Sequence, residues 1–332
     1  MGVLQSSKTK IVGGFLGAVI LVICMGMGIV FGTTHISLQT VIDSFTHFNG
    51  SQEHLFIKEI RLPRMIIGTV VGICLGIAGV LLQALTRNPL ADLGIFGLHA
   101  GASFFIACAV FFFSISSLTS FIWIAFLGAT ISGLIVFIIG KWGGEEVSSL
   151  YLTLAGASMA ALFSSATHAI FVINQRALEE VLVWITGSLA DRKLSMLMDV
   201  LPYMIVACLI AFLISNKIDT LLLGEKVAMG LGQRTVWLKI VMVFLVILLS
   251  ASTVSIAGPI SFVGLVAPHF ARYFVGNTTR WTLLYSGMIG AILLLIADIL
   301  ARVVTDQFEL PVGIVMAMMA APFFILLARK EG

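Results

Sequence analysis

Apolar residues fill most of this chain in blocks of about 20, and the polar positions fall between the blocks instead of alternating within them. A helix of that length crosses the ~30 Å hydrocarbon core of a bilayer, because each residue rises about 1.5 Å and the backbone polar groups are satisfied internally. The pattern predicts ten spans, near residues 11–32, 64–86, 94–114, 118–140, 150–173, 197–215, 236–257, 259–276, 283–303 and 311–328. The apolar stretch from Trp237 to Val275 is too long for one crossing, and Gly258-Pro259 is its natural break, since proline cannot continue the helical hydrogen-bond ladder. Residues 33–60 are mixed and polar, with Asp43, Glu53, Lys58 and Glu59, and leave room for an amphipathic helix on the outer surface. Ten crossings put both termini on one side of the membrane. Of the 19 Lys and Arg residues, 12 then lie on the side of the termini and 7 opposite, which by the positive-inside rule makes both termini cytoplasmic.

The second span is unusual within this pattern. Gly68, Gly72 and Gly76 recur every fourth residue and Gly79 follows, so one helix face lacks side chains and a neighbouring helix can come close. Such a stripe is also what ordinary packing in an apolar segment leaves. Pro89 and Pro268 sit beside short apolar stretches, with Gly94, Gly97, Gly264 and Gly276 nearby, one interruption in each half of the chain. Paired breaks of this kind are the trace of inverted repeats in transporters.

Composition sharpens the class. Hydrophobic residues make up 59% of the 332 and charged residues 11%, against roughly 25% charged in soluble domains, and the mean hydropathy is +1.11. Little sequence is left for a soluble domain, so a single transmembrane domain over residues 1–332 is expected. The net charge of +3 is spread over loops and offers no tract for nucleic acid. Cys24, Cys74, Cys108 and Cys208 all fall inside apolar runs and read as packing residues. The first apolar run lacks a small-residue cleavage site and reads as a retained helix. No phosphate-binding loop, nucleophile elbow or metal-ligand cluster is present, and the isolated His168 and His269 are not read as metal ligands, so neither an enzyme nor a resident cofactor is expected. An ion-coupled secondary transporter is the alternative class. It would hold ionisable residues deep in its spans, and these spans are nearly free of them, which points to energy supplied from elsewhere.

Several short motifs stand in order along the chain. They are Arg61-Leu62-Pro63-Arg64, the run from Gln83 through Arg87-Asn88-Pro89 to Ala91, Leu223-Gly224-Glu225, the run from Gly258 to His269, Ala297-Asp298 with Ala301-Arg302, and Glu309-Leu310-Pro311-Val312-Gly313. Together they closely resemble the permease family of bacterial ATP-driven importers for iron-siderophores, haem and cobalamin, the FecCD type, over about 270 residues from position 61 onward. The resemblance implies an all-α polytopic membrane protein with inverted halves, of the type II ABC importer architecture, in the bacterial cytoplasmic membrane. It implies a cargo of chelated metal, a ferric siderophore above all. The partners it implies are a second permease chain, identical or homologous, two ATPase subunits that bind ATP and Mg, and an extracytoplasmic substrate-binding lipoprotein or periplasmic protein.

The resemblance also distributes roles. Arg61, Arg64 and Arg302 match arginines that meet glutamates on the binding protein, and planar guanidinium suits such bidentate pairing. Asp298 lies one helical turn before Arg302, a spacing at which a carboxylate orients a guanidinium. The other reading of these arginines is snorkelling to lipid headgroups. In the cytoplasmic stretch from Asp219 to Gly232, Leu223, Val227 and Leu231 recur at i, i+4 and i+8 and form an apolar ridge. Gly224, Glu225, Ala228 and Gly232 there match the loop that docks into the ATPase; the other reading is a helix resting on the bilayer. A large polar side chain at Ala228 or Gly232 is expected to block docking without unfolding the bundle. Gln83, His99 and Ser103 are the polar positions offered as lining of the translocation path. Leu93 and the run Asn277-Thr278-Thr279-Arg280 depart from the family pattern, both in what read as cytoplasmic surface turns.

Overall fold

In the computed structural model, residues 2–32, 36–141, 149–304 and 309–331 are described, and every regular element among them is helical. Helix α1 (Ser7–Val30) is followed by the short helices α2 (Leu38–Thr46) and α3 (Gln52–Phe56). A π turn at Ile57–Arg61 joins α3 to α4 (Leu62–Thr86), so that 52–86 is one continuous helix. Then come α5 (Leu98–Phe113), α6 (Leu118–Lys141), α7 (Ser149–Ile173), α8 (Gln175–Ile185) and α9 (Leu194–Leu213). The next two are the short helices α10 (Ser215–Leu222) and α11 (Glu225–Gly230), and the last four are α12 (Thr235–Ala257), α13 (Val263–Val275), α14 (Thr279–Val303) and α15 (Val312–Glu331).

Seven of the described helices are long and apolar enough to cross a membrane. Of the other three predicted spans, α5 has 16 residues and α13 has 13, shorter than their sequence pattern suggested, and α15 has 20. The reason for the first two lies in the segments that precede them. After α4 the chain runs through a 3-10 turn at Leu93–Phe96 and turns at Gly97 with φ of 71°. After α12 it turns at Gly258, also with φ of 71°, and reaches α13 through an irregular stretch. The two segments meet inside the bundle. Asp92 Oδ1 accepts the N–H of Phe262 at 3.3 Å, and its Oδ2 accepts the N–H of Gly94 at 3.1 Å. Phe262 has a φ of 70°, a costly conformation for a bulky residue, and the bond from Asp92 helps to hold it there. Two expectations are thereby corrected. Leu93 is buried and does not lie in a surface turn, and the interior carries one carboxylate, Asp92, that the span pattern had placed outside.

Helix α4 is the axis of the fold, buried along most of its length. Its glycine face does what the spacing predicted. A Cβ on Gly72 would come within 2.6 Å of the Ala291 Cα, and one on Gly76 or Gly79 would overlap the carbonyl of Ser286 or Gly264. Backbone therefore packs on backbone between α4, α13 and α14, and Ser286 Oγ donates to the Gly76 carbonyl at 2.8 Å. By contrast α1 and α7 are mostly exposed apolar helices at the periphery.

Candidate functional site

At the end of α4 that begins with Arg61, the four charged residues singled out in sequence do come together. The π turn and first turn of α4 supply Arg61 and Arg64, and the last turns of α14 supply Asp298 and Arg302. Arg64 donates through Nε to Asp298 Oδ1 at 2.8 Å and through Nη1 to Glu309 Oε2 at 2.7 Å. Arg302 Nη2 lies 3.0 Å from Asp298 Oδ2, the expected i,i+4 pair, as a charge contact off the hydrogen-bonding line. Arg61 and Arg302 turn the other way, toward the end of α1. Arg61 Nη1 donates to the carbonyls of Ile29 and Val30, and Arg302 Nη1 donates to that of Gly28 at 2.9 Å. The last carbonyls of a helix have no partner within it and form its negative pole, so two guanidinia there satisfy both needs.

The arginines are therefore sunk into the bundle. Arg61, Arg64 and Arg302 are 2%, 6% and 4% exposed and Asp298 is 0%, so their heads do not reach toward lipid headgroups. Glu309, quoted in sequence only as part of a motif, is the exposed member of the cluster, with 34% of its side chain accessible. Its pairing with Arg64 spans 245 positions, a contact no local spacing announces. A cavity of about 20 Å³ lies against the three arginines and Glu309. Three guanidinia against two carboxylates leave one positive charge in excess.

At the opposite end of α4 and α14 the chemistry reverses. Leu223, Val227 and Leu231 are 71%, 50% and 69% exposed, so the apolar ridge read from sequence is presented to its surroundings. Gly224 and Gly232 bound α11 with φ of 127° and 80°. Ala228 is on the other side of α11 and 0% exposed, which corrects the expectation that a bulky residue there would leave the fold intact. Glu225 is held by Lys239 Nζ of α12 at 2.7 Å and is not a free charge. The segment is braced further: Asp219 Oδ1 accepts the N–H of Thr279 at the start of α14 at 2.8 Å, and Arg87 Nη2 donates to the Leu221 carbonyl at 3.3 Å.

The polar residues offered as path lining are all buried within the chain. Gln83 accepts from Arg272 and lines a cavity of about 680 Å³ between α4, α10 and the α13–α14 turn. Ser103 Oγ donates to the His99 carbonyl of its own helix at 3.0 Å. Sequence reasoning took His168 as isolated and passed over its company on the exposed face of α7, which also carries Ser158, Ser164 and Ser165. The signal was available, since hydroxyls and an imidazole recurring at helical spacing in an apolar run mark a face that does not simply meet lipid. Arg192 is 7% exposed in the α8–α9 loop, and burial pushes its guanidinium down to about 10. Among the described residues no three His, Cys, Asp or Glu side chains gather as a metal site.

A model of the FecCD transport family matches residues 19–330, nearly the whole chain. The chain belongs to the FecCD transport family. Its FecCD relatives include the "Probable siderophore transport system permease protein YfiZ" of Bacillus subtilis, 48% identical over 311 residues that cover 94% of this chain and 93% of the relative. The Fe(3+)-citrate import system permease protein YfmD of the same organism is 38% identical over 329 residues, covering 98% and 97%. Among solved structures, the one described as "An inward-facing conformation of a putative metal-chelate type ABC transporter" superposes with a TM-score of 0.82 at 29% identity, over 96% of this FecCD chain and 98% of the other.

Proposed function

We propose that this chain is the membrane-spanning permease of an ATP-binding-cassette importer that carries a chelated ferric ion, a ferric siderophore in particular, across the bacterial cytoplasmic membrane. The observation that carries the reading is the FecCD membership over residues 19–330 with a siderophore permease 48% identical to the chain. On this reading residues 1–332 form one domain of ten crossings in two inverted halves, with both termini cytoplasmic. A second permease chain, identical or homologous, shares the path, two ATPase subunits bind ATP and Mg, and an extracytoplasmic binding protein delivers the cargo. Nothing in this chain performs the hydrolysis.

The mechanism assigns work to both ends of α4 and α14. Carboxylates of the binding protein meet Arg61, Arg64 and Arg302, and the ridge of Leu223, Val227 and Leu231, with Gly224, Glu225 and Gly232 shaping its turn, seats on the ATPase. The same two helices carry the outer cluster at one end and brace the ridge through Arg87 and Thr279 at the other. Their backbone-on-backbone packing makes them stiff, so closure of the ATPases is passed along them. The hydroxyl-bearing face of α7 supports a place for it beside the path between the two permeases. Asp92, the buried carboxylate that an ion-coupled carrier would use, has its oxygens taken by backbone N–H groups of Gly94 and Phe262 and acts as a staple.

The test is uptake by proteoliposomes holding the permease, its ATPase and an iron-loaded binding protein. ATP inside the ATPase-facing compartment should drive uptake of the ferric chelate. Uptake driven by a proton or sodium gradient without ATP would replace this reading with the secondary carrier. Orientation is checked with Arg176→Cys in a chain stripped of its four native cysteines, because Arg176 has 63% of its side chain accessible. Labelling of that position in intact cells is expected, and labelling only after permeabilisation would overturn the ten-span arrangement.

A further inference from the structure

A groove of about 530 Å³ runs along the α1 side of the bundle, between α1, α4, α9 and α14. Its walls are apolar, among them Ile73, Phe212 and Leu284, and Gly14, Ala18 and Gly287 leave it hollow. Along α1 it extends from Lys10 to Leu21, roughly 16 Å of helix and so about the depth of one leaflet. An apolar hollow facing hydrocarbon gains contacts only when chain fills it. One end of the groove has a different chemistry. Lys10 and Trp281 line it there, and Tyr285 Oη donates to the Lys10 carbonyl at 2.6 Å, which pins that end of α1 against α14. Lys10 makes no ion pair among the described residues, and Lys8 and Arg280 nearby in sequence are exposed. Residues 2–32 and 270–297 contain no Asp or Glu at all. Asp219 of α10, which accepts the N–H of Thr279, is the carboxylate on the Arg280 side, while Lys10 has no ion pair among the described residues, so the groove combines an acyl-sized apolar trough with a basic mouth and an aromatic at the interface, the combination by which helix bundles select anionic lipid.

We propose that this groove binds an anionic phospholipid of the cytoplasmic leaflet, with one acyl chain against Gly14, Ala18 and Gly287 and the phosphate held by Lys10 with Arg280 at the rim. The leaflet rests on the reading that the N-terminus is cytoplasmic; the binding itself does not. Nothing at this site touches the outer cluster or the apolar ridge, so the lipid is a structural ligand clamping α1 to the α4–α14 pair.

The experiment is native mass spectrometry and thermal unfolding of the purified permease in uncharged detergent, titrated with phosphatidylglycerol or with phosphatidylcholine of the same chains. Phosphatidylglycerol should be retained and should raise the unfolding temperature, and phosphatidylcholine should do neither at the same concentration. Lys10→Gln with Arg280→Gln should weaken retention about 25-fold, at about fivefold for each basic side chain. Lys10→Arg with Arg280→Lys, which keeps both charges, should bind as the native protein does and so separates lost charge from misfolding. Ala18→Leu, filling the trough with every charge in place, should also lose the lipid. Equal retention of the two lipids, an unchanged affinity in the Gln pair, or full stabilisation by glycerol phosphate alone would each overturn the proposal. Arg176→Cys labelling that reversed the orientation would move the site to the other leaflet while leaving these binding results intact.

Discussion

The two ends of the α4–α14 pair present opposite surfaces. At the ridge, three apolar side chains stand exposed; of the charges beside them, Glu225 is paired inward with Lys239 and Lys226 is exposed. At the other end the guanidinia that suit a carboxylate partner are sunk and already bonded, to Asp298, to Glu309 and to the carbonyls that end α1. On the proposed function, the difference means that the ridge would dock mainly by burial, whereas the arginine cluster would first exchange a partner. Glu309 is the group able to leave, because it is the exposed carboxylate of the pair while Asp298 is locked in the interior.

The largest effect should come from removing the ridge. Leu223→Ala with Leu231→Ala is expected to cost about 3–6 kcal/mol of ATPase binding, at roughly 1.5–3 kcal/mol per buried leucine, read as loss of co-purification with the unfolding temperature of the permease unchanged. Ala228→Arg should instead lower that temperature, because a guanidinium is forced into a fully buried site. If the double alanine variant still co-purified with the ATPase, the contrast between the two ends would fail at its stronger side.

Asp298→Ala comes next. It strands Arg64 and Arg302 without their shared carboxylate, and breaking a buried pair in this way costs about 3–5 kcal/mol. Thermal unfolding in detergent measures it, and a shift near zero would mean that the cluster is solvated and free to dock.

Glu309→Gln should have the smallest effect on stability, at most about 1 kcal/mol for a partly exposed pair. It sharpens the comparison most, because an Arg64 released from its internal partner should bind the binding protein several-fold more tightly. Weaker docking in this variant would show that Glu309 is part of the contact and not its competitor.

Much of this arrangement follows from local spacing. Blocks of apolar residues specify helices, glycines every fourth residue specify a close helix contact, and positions 298 and 302 must share a face, because each depends only on the 3.6-residue period of one helix. Leu223, Val227 and Leu231 line up for the same reason, and the family motifs are visible in order along the chain. What the tertiary structure decided is where each charge finds its partner and which loops enter the bundle. Arg64 meets Glu309 across 245 positions, Asp92 caps the strained Phe262 across 170, and Arg272 reaches Gln83 across 189. Residues 88–93 read as a turn between spans, and α13 reads as a full span, until each is seen packed against the other. Ala228 looks like a surface position until α11 is laid on α12. A periodic pattern assigns a residue to a face of its own helix, but only the packing of distant helices determines whether that face meets water, lipid, or a charge of opposite sign.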